Sequence, residues 1–167
     1  MSKLNLQDFC ANVREIRFYL QSPFEKDGTV YATNGHLLIA VPANEYPGAQ
    51  PHVEGKHSAL AAALVEKAFS GDDEFHPLPQ LVEPPKCREC EGTGVADYDD
   101  GPEDCLACGG SGYERFTVVA VGDTTFAAHY IYKLRVLPGA TIKPNGIKAP
   151  AAILFTGGRA LLMPCKV

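Results

Sequence analysis

The chain has 167 residues, of which 46% are hydrophobic and 21% are charged, and its formal net charge is −5. This length suits one domain, or one domain with an insert, and the hydrophobic fraction is enough for a core, which excludes a chain disordered throughout. No apolar run is long enough to span a bilayer, and the N-terminal residues lack the apolar stretch of a signal peptide. We therefore expect a cytoplasmic protein in a reducing environment, with no membrane partner.

Charge is distributed unevenly along the chain. Residues 1–85 carry 6 Lys and Arg against 11 Asp and Glu, residues 86–115 carry 3 against 8, and residues 116–167 carry 6 against 1. The basic final third is a candidate surface for a polyanion such as DNA. The alternative is that these cations are spread over the surface as ordinary solvated side chains.

The N-terminal segment has the pattern of an amphipathic helix. Apolar residues recur at helical spacing between Leu6 and Leu20, and Asn5 precedes them as a candidate N-cap. Arg14 and Arg17 fall off the apolar stripe, so we expect them to face solvent or a ligand.

A β-hairpin is predicted next. Thr29–Thr33 and His36–Val41 have the composition of strands, and Asn34-Gly35 between them predicts a type I′ turn, whose two central residues need positive φ. The second strand is almost wholly apolar, so we expect both of its faces to be buried.

The middle of the chain predicts a second helix and then an irregular stretch. Ser58 is a candidate N-cap for a helix over 59–69, which Ser70-Gly71 would end. Residues 72–86 contain four prolines, which exclude a long regular element there.

The last third predicts a strand, a helix and three short strands. The first strand covers 116–121, and the apolar positions of the helix run from Ala127 to Leu137. The three closing strands are expected near residues 140–143, 151–155 and 160–165.

Four of the six cysteines lie in two copies of the motif C-x-x-C-x-G-x-G, which begin 18 residues apart. Cys87 and Cys90 open the first copy, and Cys105 and Cys108 open the second. Two such knuckles supply the four thiolates of a closed tetrahedral site, and the glycines let backbone N–H groups approach the sulfurs. We predict one structural Zn²⁺. Two disulfides or free buried thiols are the alternatives. A reducing compartment disfavours the disulfides, and neither alternative explains the duplicated glycines.

This repeat resembles the cysteine-rich zinc finger of DnaJ-type chaperones, which carry it four times. The chain has two copies, enough for one zinc ion, and it lacks the His-Pro-Asp tripeptide of the J domain. The resemblance therefore implies a zinc finger over residues 86–115 and does not extend to a co-chaperone.

The rest of the chain resembles one domain of the bacterial DNA polymerase III β sliding clamp. The segments Thr29–Val41, Phe126–Leu134 and Leu161–Val167 carry this resemblance, in the order in which a clamp has them. It implies an α+β fold with two helices packed on an antiparallel sheet. We expect one DNA-clamp-like domain formed by residues 1–85 and 116–167, interrupted by a small zinc-finger β-hairpin insert over 86–115.

The clamp resemblance also implies a surface for duplex DNA. Clamp domains place their helices on the inner face of a ring, where basic side chains touch phosphates without reading bases. For each candidate here the alternative is an ordinary solvated side chain. The candidates are Arg14, Arg17, His129, Lys133, Arg135, Lys143 and Lys148.

Clamps further bind short peptides of replication proteins in an apolar groove. In clamps this groove lies between two domains, and the plain alternative for the region of Met163 is an edge strand that closes the core. The matching positions here are Thr33, Gly35, His36, Met163, Pro164 and Cys165.

Together these patterns predict a non-enzymatic, clamp-like accessory protein of DNA replication, which binds the DNA backbone, replication proteins or both, and uses its zinc finger for protein contact. A ring needs six domain copies and this chain has one, so we expect a homo-oligomer, of a compact kind that a phage or mobile element would encode. The alternative is a zinc-dependent adaptor or regulator that never touches DNA. No nucleophile–base pattern or phosphate-binding glycine loop indicates an enzyme, so we expect no small-molecule substrate.

Overall fold

The computed structural model describes residues 4–11, 20–46, 50–51, 56–72 and 74–165. Within them, eight strands form the main sheet: β1 (Phe24–Lys26), β2 (Thr29–Thr33), β3 (Leu37–Pro42), β4 (Gln50–Pro51), β5 (His76–Pro77), β10 (Thr141–Lys143), β11 (Ala151–Phe155) and β12 (Gly158–Leu162). Two separate hairpins pair β6 (Val95–Tyr98) with β7 (Gly101–Asp104), and β8 (Val118–Val121) with β9 (Thr124–Ala127). The helices are α1 (Lys56–Phe69) and α2 (Ala128–Leu134), with 3₁₀ helices at Leu6–Phe9 and Ala43–Glu45. No helix in these ranges has the length and apolar character needed to cross a membrane.

The main sheet joins the two ends of the chain. Its strand order is β4-β1-β2-β3-β12-β11-β10-β5, and every pair is antiparallel except β1 with β4. The central pair is β3 with β12, in which Leu38 lies opposite Leu161. Strands from before and after the cysteine segment therefore share one sheet, and the α+β class expected from the sequence is confirmed.

Alternation along the central strands creates a buried cluster on each face of the sheet. In β3, Leu37, Ile39 and Val41 point into one cluster, while Leu38 and Ala40 point into the other. All five side chains are buried. The prediction that this strand is covered on both faces is confirmed.

The two faces are covered by different elements. On one face α1 packs through Ala61, Val65 and Ala68 against β11 and β12. On the other face lie the 3₁₀ helix Leu6–Phe9, the β8–β9 hairpin and α2, which contributes Ile131 and Leu134. The two α-helices thus lie on opposite faces, whereas the N-terminal 3₁₀ helix and α2 share one.

The predicted helix between Leu6 and Leu20 is described only in part, and its first turn is a short 3₁₀ helix that ends before Cys10, whose backbone is extended. Residues Leu6–Phe9 form a 3₁₀ helix, and the side-chain oxygen of Asn5 accepts a hydrogen bond from the backbone N–H of Gln7, so the predicted cap is confirmed. Arg14 and Arg17 lie outside the described residues.

The turn after β2 differs from the prediction. Strand β2 ends at Thr33 and β3 begins at Leu37, so three residues connect the strands, and φ is positive at Gly35 (91°) but not at Asn34. The side-chain oxygen of Asn34 instead accepts hydrogen bonds from the backbone N–H groups of His36 and Leu37, each at 3.0 Å. The type I′ prediction was wrong because this side chain organises a longer connection.

Two further boundaries differ from the predictions. Helix α1 begins at Lys56, so Ser58 lies inside the helix, where it is buried, and does not cap it. Strand β8 begins at Val118, because Phe116 has a positive φ of 72° and its side chain is 93% exposed.

Candidate metal centre

The four cysteines of the repeat converge on one point. Sγ of Cys87 lies 3.9 Å from Sγ of Cys105, and Sγ of Cys90 lies 3.8 Å from Sγ of Cys108. All four sulfurs lie within 4.8 Å of one another, and none of these four cysteines is more than 6% exposed. Four sulfurs at about 2.3 Å from one tetrahedral ion would stand about 3.8 Å apart, so the set fits a metal ion.

The spacing does not fit disulfides. A disulfide holds its sulfurs at about 2.05 Å, far closer than the 3.8 and 3.9 Å observed, and all four cysteines are free thiols. Because each sulfur is buried, the site is closed and leaves no visible position for a substrate. Such closure is typical of a structural metal site rather than a catalytic one.

The two repeats are related by matching main-chain contacts. The N–H of Cys87 donates to the carbonyl of Gly112 at 2.9 Å, and the N–H of Cys105 donates to the carbonyl of Gly94 at 2.8 Å. Each repeat therefore begins beside the end of the other. This exchange brings the two knuckles face to face around the sulfurs.

The last glycine of each repeat is required by close packing. A Cβ on Gly94 would lie 2.4 Å from the carbonyl oxygen of Gly110, and one on Gly112 would lie 2.5 Å from that of Gly92. Gly94 and Gly112 also have positive φ values of 77° and 78°. No larger residue fits there without moving backbone, which explains why both copies end in glycine.

These same glycines donate to sulfur. The N–H of Gly94 lies 3.2 Å from Sγ of Cys90, and the N–H of Gly112 lies 3.3 Å from Sγ of Cys108. Such bonds stabilise thiolates and orient their lone pairs, as expected around a bound metal. Their presence confirms the role that the sequence predicted for the glycines.

The pKa values of two of the thiols are shifted in opposite directions. Desolvation acts to raise the pKa of Cys90, but N–H donors from Gly94 and Gly92 outweigh it, and the pKa falls to about 6. At Cys105, the N–H of Cys108 acts to lower the pKa, but desolvation and the neighbouring thiols prevail and raise it to about 11. Thiolates crowded together oppose each other's ionisation, so a divalent cation is what would let all four ionise.

The finger is closed at its base by paired chain segments. Lys86 and Tyr113 form an isolated β-bridge, and the N–H of Glu114 donates to the carbonyl of Pro85 at 2.8 Å. Between these ends lie the cysteines and the β6–β7 hairpin. We call residues 86–115 the finger.

The proposed DNA-contacting residues are placed very differently from one another. Arg135 and Lys148 are exposed, whereas Lys133 is half-buried, with Nζ 5.4 Å from the centroid of the Phe9 ring. Burial lowers the pKa of Lys133, and likewise lowers that of His129 to about 4, so the half-buried His129 is neutral near pH 7.

Lys143 does not fit a phosphate contact. Its side chain is only 1% exposed, and Nζ donates to the carbonyl of Ser70 at 2.9 Å and lies 5.8 Å from the Phe75 ring centroid. The ammonium group thus binds a carbonyl at the C-terminal end of α1, where the helix dipole favours a cation. For this residue the DNA prediction was wrong, because sequence reports charge and not burial.

The predicted groove residues lie at two neighbouring chain segments. The N–H of Met163 donates to the carbonyl of His36 at 2.9 Å, which joins the two segments, and the hydroxyl of Thr33 donates to the carbonyl of Leu37. Gly35, His36 and Met163 are exposed, Pro164 and Cys165 are half-buried and Thr33 is buried. These residues therefore lie close together, and peptide binding by them stays a prediction.

A stack of rings missed by the sequence analysis links the finger to α2. Tyr113 lies parallel to His129 (centroids 5.9 Å apart), His129 contacts Tyr130 (4.2 Å), and Tyr130 stacks on His36 (5.8 Å). Nε2 of His129 is buried without a hydrogen-bond partner among the described residues. Only the tertiary fold brings these rings together, so no local pattern could have indicated the stack.

No family model matches the chain. No curated protein and no solved structure matches it either.

Proposed function

We propose that the chain is a non-enzymatic, sliding-clamp-like accessory protein of DNA replication, in which a structural zinc ion folds the finger for contact with other proteins. The observation that carries the proposal is the closed set of four buried sulfurs, whose cysteines are each no more than 6% exposed. The clamp-like part rests on sequence resemblance, on the α+β class, and on the shared sheet face of the N-terminal 3₁₀ helix and α2.

Zinc is the metal that suits this centre best. Tetrahedral sites of four thiolates hold zinc or iron, and the repeat that forms this site resembles a zinc finger. An iron-loaded chain would be coloured and redox-active, whereas a zinc-loaded one would be colourless. Elemental analysis of the purified chain distinguishes the two: we expect one zinc per chain, and one iron per chain would contradict the assignment.

The surface of the finger supports contact with proteins rather than DNA. Leu106 is 72% exposed and its N–H donates a hydrogen bond to the hydroxyl oxygen of Tyr98 at 3.0 Å, so an exposed apolar residue and an aromatic one lie together on the surface. Acidic residues surround them along the β6–β7 hairpin, including Asp97, Asp99 and Glu103. Phosphates would be repelled by these carboxylates.

In this proposal the DNA backbone is contacted by candidate cations that are exposed. Arg135 and Lys148 meet this condition among the described candidates. Reversing both charges (Arg135→Glu with Lys148→Glu) should weaken duplex binding at least tenfold and flatten its salt dependence. The matched control, Arg88→Glu with Lys67→Glu, changes the net charge equally at exposed positions outside the candidate set and should bind within about twofold of the wild type.

The second candidate is a zinc-dependent adaptor that does not contact DNA. It is favoured because Lys143 is buried and Lys133 and His129 are half-buried, so these three candidates present little charge to a DNA backbone. If both double variants weaken duplex binding equally, or the wild type does not bind duplex DNA at all, the adaptor replaces the clamp-like accessory protein.

A further inference from the structure

A cleft of about 1300 Å³ opens between the finger, α2 and the N-terminal 3₁₀ helix. Finger residues Gly110, Ser111 and Tyr113 line one side, and α2 lines another through Tyr130 and other residues. Most small-molecule pockets are smaller than about 1000 Å³, so a cleft of this size suits an extended chain segment better than a metabolite.

The charged lining of the cleft is acidic overall. In the part of the chain that is described, it contains two cations, Lys133 and Arg135, against four carboxylates: Asp8, Glu45, Glu83 and Asp104. Both cations already lie over rings, since Nζ of Lys133 is 5.4 Å from the Phe9 centroid and the guanidinium carbon of Arg135 is 3.7 Å from that of Tyr132. A phosphate backbone would therefore meet more like charge than opposite charge.

Tyrosines provide the second component of the lining. Tyr46, Tyr113, Tyr130 and Tyr132 all border the cleft. Tyrosine rings attract ammonium and guanidinium groups, and their hydroxyls add hydrogen bonds at low entropic cost. Tyrosine and carboxylate side chains together complement a cationic partner, and the contact of Arg135 with Tyr132 is an example within the chain itself.

We propose that this cleft binds an extended peptide segment rich in arginine, supplied by a partner protein. The site differs from the groove implied by the clamp resemblance, of which, among the described residues, His36 alone borders the cleft. The inference rests on the proposed metal-dependent folding of the finger, which forms one wall, but not on the resemblance to clamps. The partner of the finger and of the cleft beside it would therefore be a protein with a cationic segment.

The test is fluorescence anisotropy with the full, metal-loaded chain and three labelled probes. The first is a capped nonapeptide of alternating glycine and arginine, the second has glutamate in place of arginine, and the third is a ten-nucleotide oligothymidylate. At about 0.1 M salt, where long-range attraction is screened, we expect the arginine peptide to bind at least tenfold more tightly than either other probe.

Two matched double variants separate the cleft from general attraction to an acidic protein. Glu45→Gln with Glu83→Gln removes two carboxylates from the lining, and glutamine retains an acceptor for the hydroxyl of Tyr113, which lies 3.3 Å from Glu83. Asp99→Asn with Glu103→Gln removes two exposed carboxylates of the β6–β7 hairpin outside the lining. We expect the first variant to bind the arginine peptide at least fivefold more weakly and the second to bind within twofold of the wild type.

Three results would overturn the proposal. They are absent binding of the arginine peptide, equal weakening in the two double variants, and tighter binding of oligothymidylate than of the arginine peptide, which would indicate a nucleic-acid cleft instead. Metal analysis of the same preparation keeps the two proposals distinguishable. A chain with one zinc that fails to bind the peptide contradicts the cleft alone, whereas a chain without metal contradicts the proposed function.

Discussion

At the residue scale, the glycines of the finger show how one missing side chain permits a metal centre. Gly94 brings its backbone so close to Gly110 that a Cβ would lie 2.4 Å from a carbonyl oxygen. The same residue donates its N–H to Sγ of Cys90. Moving this backbone would therefore disturb both the packing of the two repeats and a bond to a metal ligand.

Gly94→Ala should weaken metal binding at least tenfold, or about 1.4 kcal/mol, because the added Cβ displaces the donor to Cys90. Gly101→Ala is the matched control, since Gly101 also has a positive φ (107°) but a Cβ there meets nothing within 4 Å. The backbone strain of Gly101→Ala, about 1–2 kcal/mol, should lower the stability of the chain, while its metal affinity should stay within about threefold of the wild type. Competition with a chromophoric chelator measures both affinities, and equal losses would refute the role of close packing.

His129 predicts a dependence of stability on pH. Burial, with help from the charges of His36 and Lys133, lowers its folded pKa from 6.5 to about 4. Between these values the unfolded chain binds a proton that the folded chain does not, so the unfolding free energy falls as pH falls from 6.5 to 4. This loss of unfolding free energy is zero above pH 6.5 and reaches its full size below pH 4, where the histidine is protonated in both states.

Denaturant unfolding of the wild type and of His129→Phe between pH 7 and 4 measures this contribution. Phenylalanine retains a ring between Tyr113 and Tyr130 but cannot titrate. Both chains lose metal on acidification, so their difference isolates the histidine, and the wild type should show the steeper decline, by at most about 1.4 kcal/mol per pH unit. Parallel declines would mean that His129 titrates alike in the folded and unfolded chains.

At the scale of elements, the finger was largely predictable and its surroundings were not. Cys87, Cys90, Cys105 and Cys108 are set by two short repeats, so spacing alone predicts their convergence. The buried position of Lys143 involves a hydrogen bond to Ser70, which is 73 positions away in the chain, and no local sequence pattern indicates that contact. Strand β3 was predictable in part. Its continuous apolar run indicates burial on both faces, but it does not indicate that β12 is the neighbouring strand.

Cys105→Ser should abolish metal binding and unfold the finger while the main sheet persists. Four ligands make one closed site, and a finger of this size buries little apolar surface without its metal. Cys165→Ser is the matched control, since Cys165 is also a free thiol but lies outside the cluster. Hydrogen exchange should increase within 86–115 in the first variant alone; exchange that rises equally in β3 and β12 would contradict a separately folding finger.

At the scale of the whole molecule, the sheet brings together strands from both sides of the finger, with β3 beside β12 at its centre. Helix α1 covers one face, and the N-terminal 3₁₀ helix and α2 cover the other. A ring built from copies of this chain would direct one of these faces to its centre. The face with α2 also borders the finger through Tyr113 and His129, so an assembly must accommodate the finger beside that face.

Native mass spectrometry of the purified protein tests whether the four thiolates of each chain hold one zinc ion. We predict a mass of one zinc per chain with all six cysteines free of disulfides, in a closed multimer if the chain forms a ring and in a monomer or dimer if it acts as an adaptor. A metal-free chain, or one whose mass shows two disulfides in place of zinc, would exclude a structural zinc site at these cysteines.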